Sequence, residues 1–433
     1  MDLRELSKAI ESGRLSPVEH VEQVLERLAG DECNSVVHLD PDDALDQAKR
    51  RTQEIRGGSW RGPLHGVAVV VKDIIDVRGV PTRCGSNVLR DAPAARHDAE
   101  AVARLRAAGA VIVAKSHTHE FAYGPTGDIA AEGPARNPHD RTRITGGSSS
   151  GSAAAVAAGH VPLGLGTDTG CSVRTPAALC GVVGLKPRFD RIPTGGVFPL
   201  SETCDHVGVL GADAFAVRAG YQALTGDRPD RPHRQQLVVG RPTDDYWRPA
   251  DDVIAAAVDE AARRLGPAGA RIVDVETPGI DELAATYRVI VGAEAYATHA
   301  GWLEARRSGY QPVTAERLLL GADQPAAGYV QAQRDRRRLT AELATRLSTV
   351  DVLLTPTTPI RATSIGESTV DGRDVRAALL SLTLPFNLTG WPAVSVPMPP
   401  ADGGLPAGVQ LVGVLTGENE LLTLVETLSL RAH

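Results

Sequence analysis

Short apolar runs alternate along the chain with longer stretches of helical periodicity. The runs at 67–71 (VAVVV) and 110–114 (AVIVA) are rich in valine and isoleucine, as buried β-strands are. Similar runs occur toward the C-terminus, at 350–357, 393–398 and 408–413. Because these strands are apolar on both faces and alternate with helices, they predict an α/β sheet that is covered by helices on both sides.

The N-terminal part carries the clearest helix signals. Ser16 and Glu19 form a capping box around Pro17, which predicts a helix that begins at Pro17. Farther along, we expect Asp98 to cap a helix that ends before Gly109. Apolar residues at helical spacing give each of these helices an apolar face that can pack against the sheet.

The stretch from about 212 to 350 differs from the rest of the chain. It is rich in Ala, Arg and Glu and shows long helical periodicity. We interpret it as a helical cover subregion that is inserted into one α/β domain spanning residues 1–433. No internal repeat is visible.

Composition and charge narrow the choice of partner. Of the 433 residues, 42% are hydrophobic and 23% are charged, which is the balance of a globular protein with a large core. The formal net charge is -7 and Lys and Arg are scattered, so no nucleic acid is expected to bind. No run of about 18 apolar residues occurs, so no membrane span is expected. A small molecule is the predicted partner.

Cysteine usage indicates the compartment. The five cysteines are an odd number and include no CxxC pair. They therefore signal neither a disulfide framework nor a zinc site. The N-terminus is charged from its second residue and lacks the apolar stretch of a secretory signal. Together these features predict a protein of the reducing cytoplasm.

The densest chemical signal lies between Thr145 and Pro187. It opens with a Gly/Ser loop at 146–151 (GGSSSG), directly before an alanine-rich helix. Glycines let a loop turn its N–H groups inward, and a helix N-terminus adds partial positive charge, so the loop could hold an anion or a polar atom. Taken alone, such a loop is more often a plain turn.

A second turn, LGLGTDTGCSVRTP at 163–176, places Ser172 after an apolar strand. Consecutive backbone N–H groups could form an oxyanion hole there. The candidates are Thr169, Gly170, Cys171 and Ser172. A nucleophilic serine needs a base. No histidine stands in a recognisable nucleophile motif, and HTHE at 117–120 lacks the H-E-x-x-H spacing of a zinc site.

Lys72 ends the first predicted strand, and two interpretations are open for it. A lysine at such a place usually extends toward water or pairs with a carboxylate such as Asp73. Alternatively, burial would lower the pKa of the amine and let its neutral form accept a proton. Lys72 is therefore a candidate base.

Three motifs in this order resemble the amidase signature family: the strand that ends in Lys72, the GGSSSGS loop with Ser148, and the GTDTGCSVRTP turn with Ser172. The two serines are 24 residues apart, as in that family. The resemblance covers most of the chain, from the LSPVE helix to GLPAGVQLVG near the C-terminus. It implies one α/β/α domain with a mixed, twisted β-sheet surrounded by helices, and no metal or organic cofactor.

The resemblance also implies roles for these residues. Family members carry a Ser–cis-Ser–Lys triad, in which Ser172 would be the nucleophile, Ser148 the bridging serine on a cis peptide bond and Lys72 the base. Cys171 departs from the family, which commonly has glycine or another small residue there. A cysteine side chain beside the nucleophile would narrow the acyl pocket.

Residues around the motifs have expected roles as well. We expect Asp168 and Arg174 to hold the second turn by an internal ion pair. In this family the region before the serine loop tends to line the acyl pocket. The candidate substrate-binding residues are Phe121, Tyr123, Gly147 and Trp391. The helical cover around 287–302 would close the other side, and core packing is the alternative for the aromatic residues.

The resemblance favours an amidase that hydrolyses a small or mid-sized linear amide through an acyl-enzyme on Ser172. Two alternatives are open. An amidotransferase A-type subunit would release ammonia from glutamine for a partner protein, but residues 384–393 (LPFNLTGWPA) lack the aspartate expected there. An acyl-transferring amide synthase would resolve the acyl-enzyme with an amine instead of water. A homodimer is common among similar proteins.

Overall fold

Eleven strands form one mixed sheet in the computed structural model, which describes residues 1–227 and 237–429. Two further strands form a separate antiparallel pair. In chain order the strands are β1 (Val36–Leu39), β2 (Ala68–Lys72), β3 (Val111–Ser116), β4 (Leu163–Thr167), β5 (Val183–Lys186), β6 (Val207–Gly211), β7 (Val238–Pro242), β8 (Arg271–Val275), β9 (Val352–Pro356), the separate pair β10 (Thr369–Val370) and β11 (Arg373–Asp374), β12 (Ala393–Met398) and β13 (Ala407–Gly413).

The large sheet has the order β1-β3-β2-β4-β6-β5-β12-β13-β9-β7-β8. Strand β2 pairs in parallel with β3 and β4, and β7 pairs in parallel with β8 and β9. The α-helices are α1 (Leu3–Glu11), α2 (Pro17–Ala29), α3 (Pro41–Arg56), α4 (Glu100–Ala107), α5 (Ser150–Ala157), α6 (Arg174–Cys180), α7 (Ala214–Thr225), α8 (Asp252–Leu265), α9 (Ile280–Arg306), α10 (Pro312–Leu319), α11 (Ala326–Arg346), α12 (Val375–Ser381), α13 (Pro385–Leu388) and α14 (Glu418–Ser429).

Strand β2 shows how the sheet is buried on both faces. Val69 and Val71 belong to one hydrophobic core, whereas Ala68 and Val70 belong to a second core. Successive side chains of a strand point to opposite faces, so this alternation places apolar groups on both sides. The predicted α/β sheet between helices is confirmed, and the five strands expected from apolar runs form as β2, β3, β9, β12 and β13.

The predicted capping box is also confirmed. Ser16 Oγ accepts the Glu19 N–H (3.1 Å), and Glu19 Oε2 accepts the Ser16 N–H (2.7 Å). Pro17 occupies the first position of α2, where its missing N–H removes no hydrogen bond. Local chemistry therefore determines where this helix begins.

Asp98, by contrast, does not cap a helix. Helix α4 begins at Glu100, with Ala99 at its N-cap position and no side-chain cap. Asp98 accepts the Arg78 N–H (2.8 Å) and pairs with Arg106 (3.1 Å). The prediction was wrong because the carboxylate is bound by a neighbouring loop and by the last turn of the helix.

The stretch 212–350 is helical only in part. It contains α7 to α11, and α9 packs against α11, but it also contributes β7 and β8 to one edge of the large sheet. Only two residues of β7 are fully buried, and no residue of β8 is. Their apolar signal is therefore weak beside that of the long helices. Residues 228–236 of this stretch lie outside the described residues.

The described residues also bear on membranes, disulfides and metals. No helix within them combines the length and the apolar character that crossing a membrane requires. All five cysteines are buried and unpaired. In the same parts of the chain, no group of three or more His, Cys, Asp or Glu residues is arranged to hold a metal ion.

Candidate active site

Lys72 lies at the end of β2, between β3 and β4 in the sheet. Its side chain is fully buried, and its Nζ donates hydrogen bonds to Ser148 Oγ (2.7 Å) and Thr167 Oγ1 (2.8 Å). Asp73, the alternative partner suggested by the sequence, pairs instead with Lys115 at 2.9 Å. Among the described residues, Lys72 thus contacts two hydroxyl groups and forms no ion pair.

The amine of Lys72 is easier to deprotonate than an ordinary lysine amine. Burial lowers its pKa from 10.5 to about 7, because removal from water disfavours the charged ammonium. The negative charges of Asp168 and Asp205 oppose this shift without cancelling it. A large fraction of the amine is therefore neutral near neutral pH, and a neutral amine has a lone pair that accepts a proton.

Ser148 lies in the Gly/Ser loop that leads into α5. The Gly147–Ser148 peptide bond is cis. The Gly147 N–H donates to the Pro125 carbonyl (2.6 Å), and the Ser148 carbonyl accepts the His119 N–H (3.2 Å). A Cβ at position 147 would lie only 2.8 Å from Gly127 N, so the close approach of the two loops requires glycine.

The second turn places Ser172 between β4 and α6. The Ser149 N–H donates to the Ser172 carbonyl (3.1 Å), which joins the two serine loops directly. Among the described residues, Ser172 Oγ forms no hydrogen bond to Ser148 Oγ, and its polar contact is Cys171 Sγ at 3.9 Å. Hydrogen bonds between reacting groups are often long without substrate and shorten when it binds.

Four consecutive N–H groups of this turn are unpaired in the described protein. Within residues 1–227 and 237–429, no protein acceptor is found for the N–H groups of Thr169, Gly170, Cys171 and Ser172. The next two N–H groups, of Val173 and Arg174, donate to Asp168 Oδ2 (3.1 and 3.3 Å). Unpaired N–H groups at such a turn can stabilise negative charge that develops on a carbonyl oxygen.

The predicted ion pair between Asp168 and Arg174 is confirmed. Both side chains are fully buried, and Arg174 Nη2 lies 2.8 Å from Asp168 Oδ1. Arg174 also donates to Gln410 Oε1 (2.7 Å) and Asn387 Oδ1 (2.6 Å). Burial alone would raise the pKa of Asp168, but the charge and hydrogen bonds of Arg174 hold it well below its usual range. The carboxylate therefore stays ionised and holds the Ser172 turn.

Asp205 holds the turn from its other side. Its Oδ1 accepts the Thr169 hydroxyl (2.5 Å), and its Oδ2 accepts the N–H groups of Leu200 (2.9 Å) and Ser201 (3.1 Å). Burial raises the pKa of Asp205 to about 6, although these hydrogen bonds lower it. The sequence analysis missed this residue, since no motif marks it.

A narrow cavity of about 10 Å³ lies beside Ser172 and Cys171. Its walls also include Tyr123, Leu200, Tyr287, Arg376 and Leu380. One water molecule needs roughly 10–15 Å³ of such space, so the cavity is nearly closed in this structure. Two larger surface depressions, one beside Trp247 and one beside Arg306, contain none of the predicted site residues.

The four predicted substrate-binding residues lie in different places. Tyr123 lines the cavity. Phe121 is fully buried within an aromatic cluster of Phe198, His299, Trp302 and Tyr310. It lies in the core and not on the cavity wall. Trp391 packs against the main core. The Gly147 carbonyl accepts a hydrogen bond from Cys171 Sγ (3.6 Å). Neither residue is part of the cavity wall.

Two cavity residues come from helices far along the chain. Tyr287 lies on α9, within the predicted cover, and a Cβ at Gly170 would lie 2.8 Å from its Cζ. The glycine therefore lets α9 approach the turn closely. Arg376 lies on α12 and was not predicted, because nothing in the local sequence distinguishes it from a solvated helix residue.

The sheet and the placement of the two serine loops define an amide hydrolase of the amidase signature type. The chain belongs to this family: the Amidase family model matches residues 19–422. The resemblance expected from the sequence motifs is thereby confirmed.

Named relatives show the range of the family. The chain is 35% identical over 444 residues to the AtzE subunit of 1-carboxybiuret hydrolase from Pseudomonas sp. (strain ADP), covering 96% of this chain and 95% of the relative. It is also 35% identical over 460 residues to the A subunit of glutamyl-tRNA(Gln) amidotransferase from Symbiobacterium thermophilum, covering 96% and 94%. A solved amidase structure matches with a TM-score of 0.90 and 36% identity over 99% of both chains.

Proposed function

We propose that the protein is an amidase that hydrolyses the carboxylic amide C–N bond of a small or mid-sized linear substrate. Ser172 is the nucleophile that forms an acyl-enzyme, Ser148 is the bridging serine and Lys72 is the base. The observation that carries the proposal is the 2.7 Å hydrogen bond between Lys72 Nζ and Ser148 Oγ at a fully buried position. A lysine whose pKa is about 7 is matched to proton transfer near neutral pH.

The proton transfers balance in each step. Neutral Lys72 takes the Ser148 proton while Ser148 takes the Ser172 proton, and Ser172 Oγ forms a bond to the amide carbon. Negative charge on the carbonyl oxygen is stabilised by the N–H groups of residues 169–172. The relay then returns the proton to the leaving nitrogen as the C–N bond breaks. Water then gives a proton to the relay and forms a bond to the acyl carbon. The bond between Ser172 Oγ and that carbon breaks, the relay returns the proton to Ser172 Oγ, and the carboxylic acid leaves.

Cys171 is the competing nucleophile, and its environment argues against it. The thiol is fully buried, and burial raises its pKa to about 12. The thiolate, which is the reactive form, is therefore scarce at neutral pH. Its contacts are the Gly147 carbonyl and Ser172 Oγ, at 3.6 and 3.9 Å.

An amidotransferase A-type subunit is the second candidate, because the chain is equally similar to a relative of that type and to the named hydrolase. Glutamine carries an α-ammonium group, which needs an acceptor once it leaves water. Among the described residues that line the cavity, none is acidic. This absence favours the amidase. An acyl-transferring amide synthase stays a third proposal, a homodimer is the proposed assembly and the cytoplasm the proposed location.

Hydroxylamine trapping tests the proposed function. Wild type should release ammonia from linear primary amides and, with hydroxylamine present, form the matching hydroxamate, because the acyl-enzyme is open to an added nucleophile. Ser172→Ala should form neither product. Ammonia release that persists in Ser172→Ala would contradict the proposal. Strict dependence on glutamine, together with a co-purifying partner, would support the amidotransferase instead.

A further inference from the structure

Arg376 is a cavity residue with unused hydrogen-bonding capacity. It projects from α12 and lines the same cavity as Ser172. Its Nε is buried and has no hydrogen-bond partner. Among the described residues, no carboxylate lies within 4.0 Å of the guanidinium. The Arg376 side chain is half-buried, so its Nε–H is shielded from water without an acceptor in the described protein.

A second arginine, Arg317, lies near the same Tyr123 ring. The guanidinium carbons of Arg317 and Arg376 lie 5.5 and 5.8 Å from the centroid of the Tyr123 ring. Arg317 also donates to the Tyr123 carbonyl. Burial, and then the charge of Arg376, lower the pKa of Arg317 to about 10. Arg317 is therefore cationic at neutral pH, and the Tyr123 ring lies close to both guanidinium groups.

Two acidic side chains of the neighbouring segments, Glu120 and Asp374, form hydrogen bonds of their own, although the charge of Asp374 also acts on Arg317. Glu120 accepts the Ser86 hydroxyl (2.6 Å) and the Gln311 N–H (3.0 Å). Asp374 caps α12 by accepting the Ala377 N–H (2.6 Å). The positive charge beside the cavity is therefore not neutralised by an ion pair within the described protein.

We propose that the substrate's acyl portion carries a carboxylate and that Arg376 binds it. This inference rests on the proposed function, because it takes Ser172 as the residue that is acylated. Arginine presents a planar set of donors that matches a carboxylate. Tyr123, Leu200 and Leu380 line the same narrow cavity, so the chain between the two ends of the substrate must be short. The substrate class is a short half-amide of a dicarboxylic acid.

The test compares matched amides in wild type and three variants. Malonamate, succinamate and glutaramate are the anionic probes, and their methyl esters are the neutral probes of similar length. Arg376→Met removes the charge, Arg376→Gln is a second neutral variant, and Arg373→Met is the matched control. Arg373 is exposed on β11, so its replacement removes the same charge outside the cavity. Sulfonylation of Ser172 by methanesulfonyl fluoride, followed by mass spectrometry, reports separately on the nucleophile.

The expected result is a preference of about 100-fold in kcat/KM for one half-amide over its methyl ester in wild type, as a charged hydrogen bond supplies. Arg376→Met and Arg376→Gln should lose most of this preference through KM, while turnover of the esters and sulfonylation of Ser172 stay near wild type. Arg373→Met should behave like wild type.

Three results would overturn the inference: equal turnover of acid and ester, an equal loss on both probes in the Arg376 variants, or sulfonylation of Ser172 without turnover of any half-amide. The last result would leave the proposed function intact. Absence of any Ser172 adduct in the folded wild type would instead overturn the proposed function.

Discussion

Lys72 Nζ lies 2.7 Å from Ser148 Oγ, although the two residues are 76 positions apart in the chain. The contact forms because β3, which leads into the loop that carries Ser148, is a parallel neighbour of β2, so the segments that follow these two strands meet at one edge of the sheet. Thr167 at the end of β4 supplies the second hydroxyl acceptor for the same amine. The fold thus brings a buried amine and a serine hydroxyl together in a place with little water.

The pH dependence of the rate should report on Lys72. The base acts in its neutral form, so kcat/KM should rise as pH increases through about 7 and level off above it. Lys72→Met should lower kcat/KM by about 10³-fold or more, the scale of lost acid–base catalysis. Initial rates across the pH range, for both proteins, measure this.

Lys186→Met is the matched control for that experiment. Lys186 is also fully buried, and burial lowers its pKa well below the ordinary value, but it donates to the Pro187 carbonyl and lies outside the relay. Its replacement should leave the midpoint of the pH profile unchanged. A midpoint that moves with Lys186, or a flat profile in wild type, would count against Lys72 as the base.

Ser148→Ala should slow turnover severely while the fold is kept. The change removes the hydroxyl between Lys72 and Ser172, and a loss of about 10²–10⁴-fold in kcat is expected from interrupted proton transfer. Ser152→Ala is the control, since its hydroxyl is equally buried but bonds to Ser116 Oγ (2.7 Å) and the Leu165 carbonyl (2.9 Å). Circular dichroism tests whether the fold is kept, and steady-state kinetics measure the loss in kcat. Equal losses in both variants would indicate a structural role alone.

Breaking the pair of Asp168 and Arg174 should destabilise the whole domain. Arg174→Met leaves a buried carboxylate without its counter-charge, which costs about 3–5 kcal/mol in the free energy of unfolding. Urea unfolding measures this value. Lys49→Met removes one partner of an exposed pair with Asp46 and should change stability little. A small change in Arg174→Met would show that the turn is held by other contacts.

Gly170→Ala should reduce activity by crowding the turn. A Cβ there would lie 2.8 Å from Tyr287 Cζ and 3.0 Å from Leu380 Cδ2, so α9 or the turn must move. We expect kcat/KM to fall by about tenfold or more, since small displacements of reacting groups are costly. Adding Tyr287→Ala to the Gly170→Ala variant should restore part of the lost kcat/KM. Independent, additive losses in the double variant would refute the steric account.

Much of the fold and of the site could be predicted because the signals are local. Lys72, Ser148 and Ser172 each stand in a short motif at a strand end or a glycine turn, and the strands β2 and β3 are continuous apolar runs. Ser16 and Glu19 bind each other within one helical turn. Interactions of this range are visible in the sequence itself.

What could not be predicted depends on distant pairs. Arg174 binds Asn387, 213 positions away, and Arg376 lines the same cavity as Ser172, which lies in a distant part of the chain. The residues around Asp98 resemble a helix start, which is why the sequence predicted a cap there. In the structure its carboxylate instead binds Arg106 and the Arg78 N–H. No local pattern encodes which residues the sheet brings together.

The most direct test of the central claim is to map the covalent adduct that methanesulfonyl fluoride forms with wild type, Ser172→Ala and Lys72→Met. The account predicts one adduct, on Ser172, in wild type, none in Ser172→Ala and much slower labelling in Lys72→Met, because the base activates the serine. An adduct on Cys171 or another residue, or labelling that persists in Ser172→Ala, would contradict it.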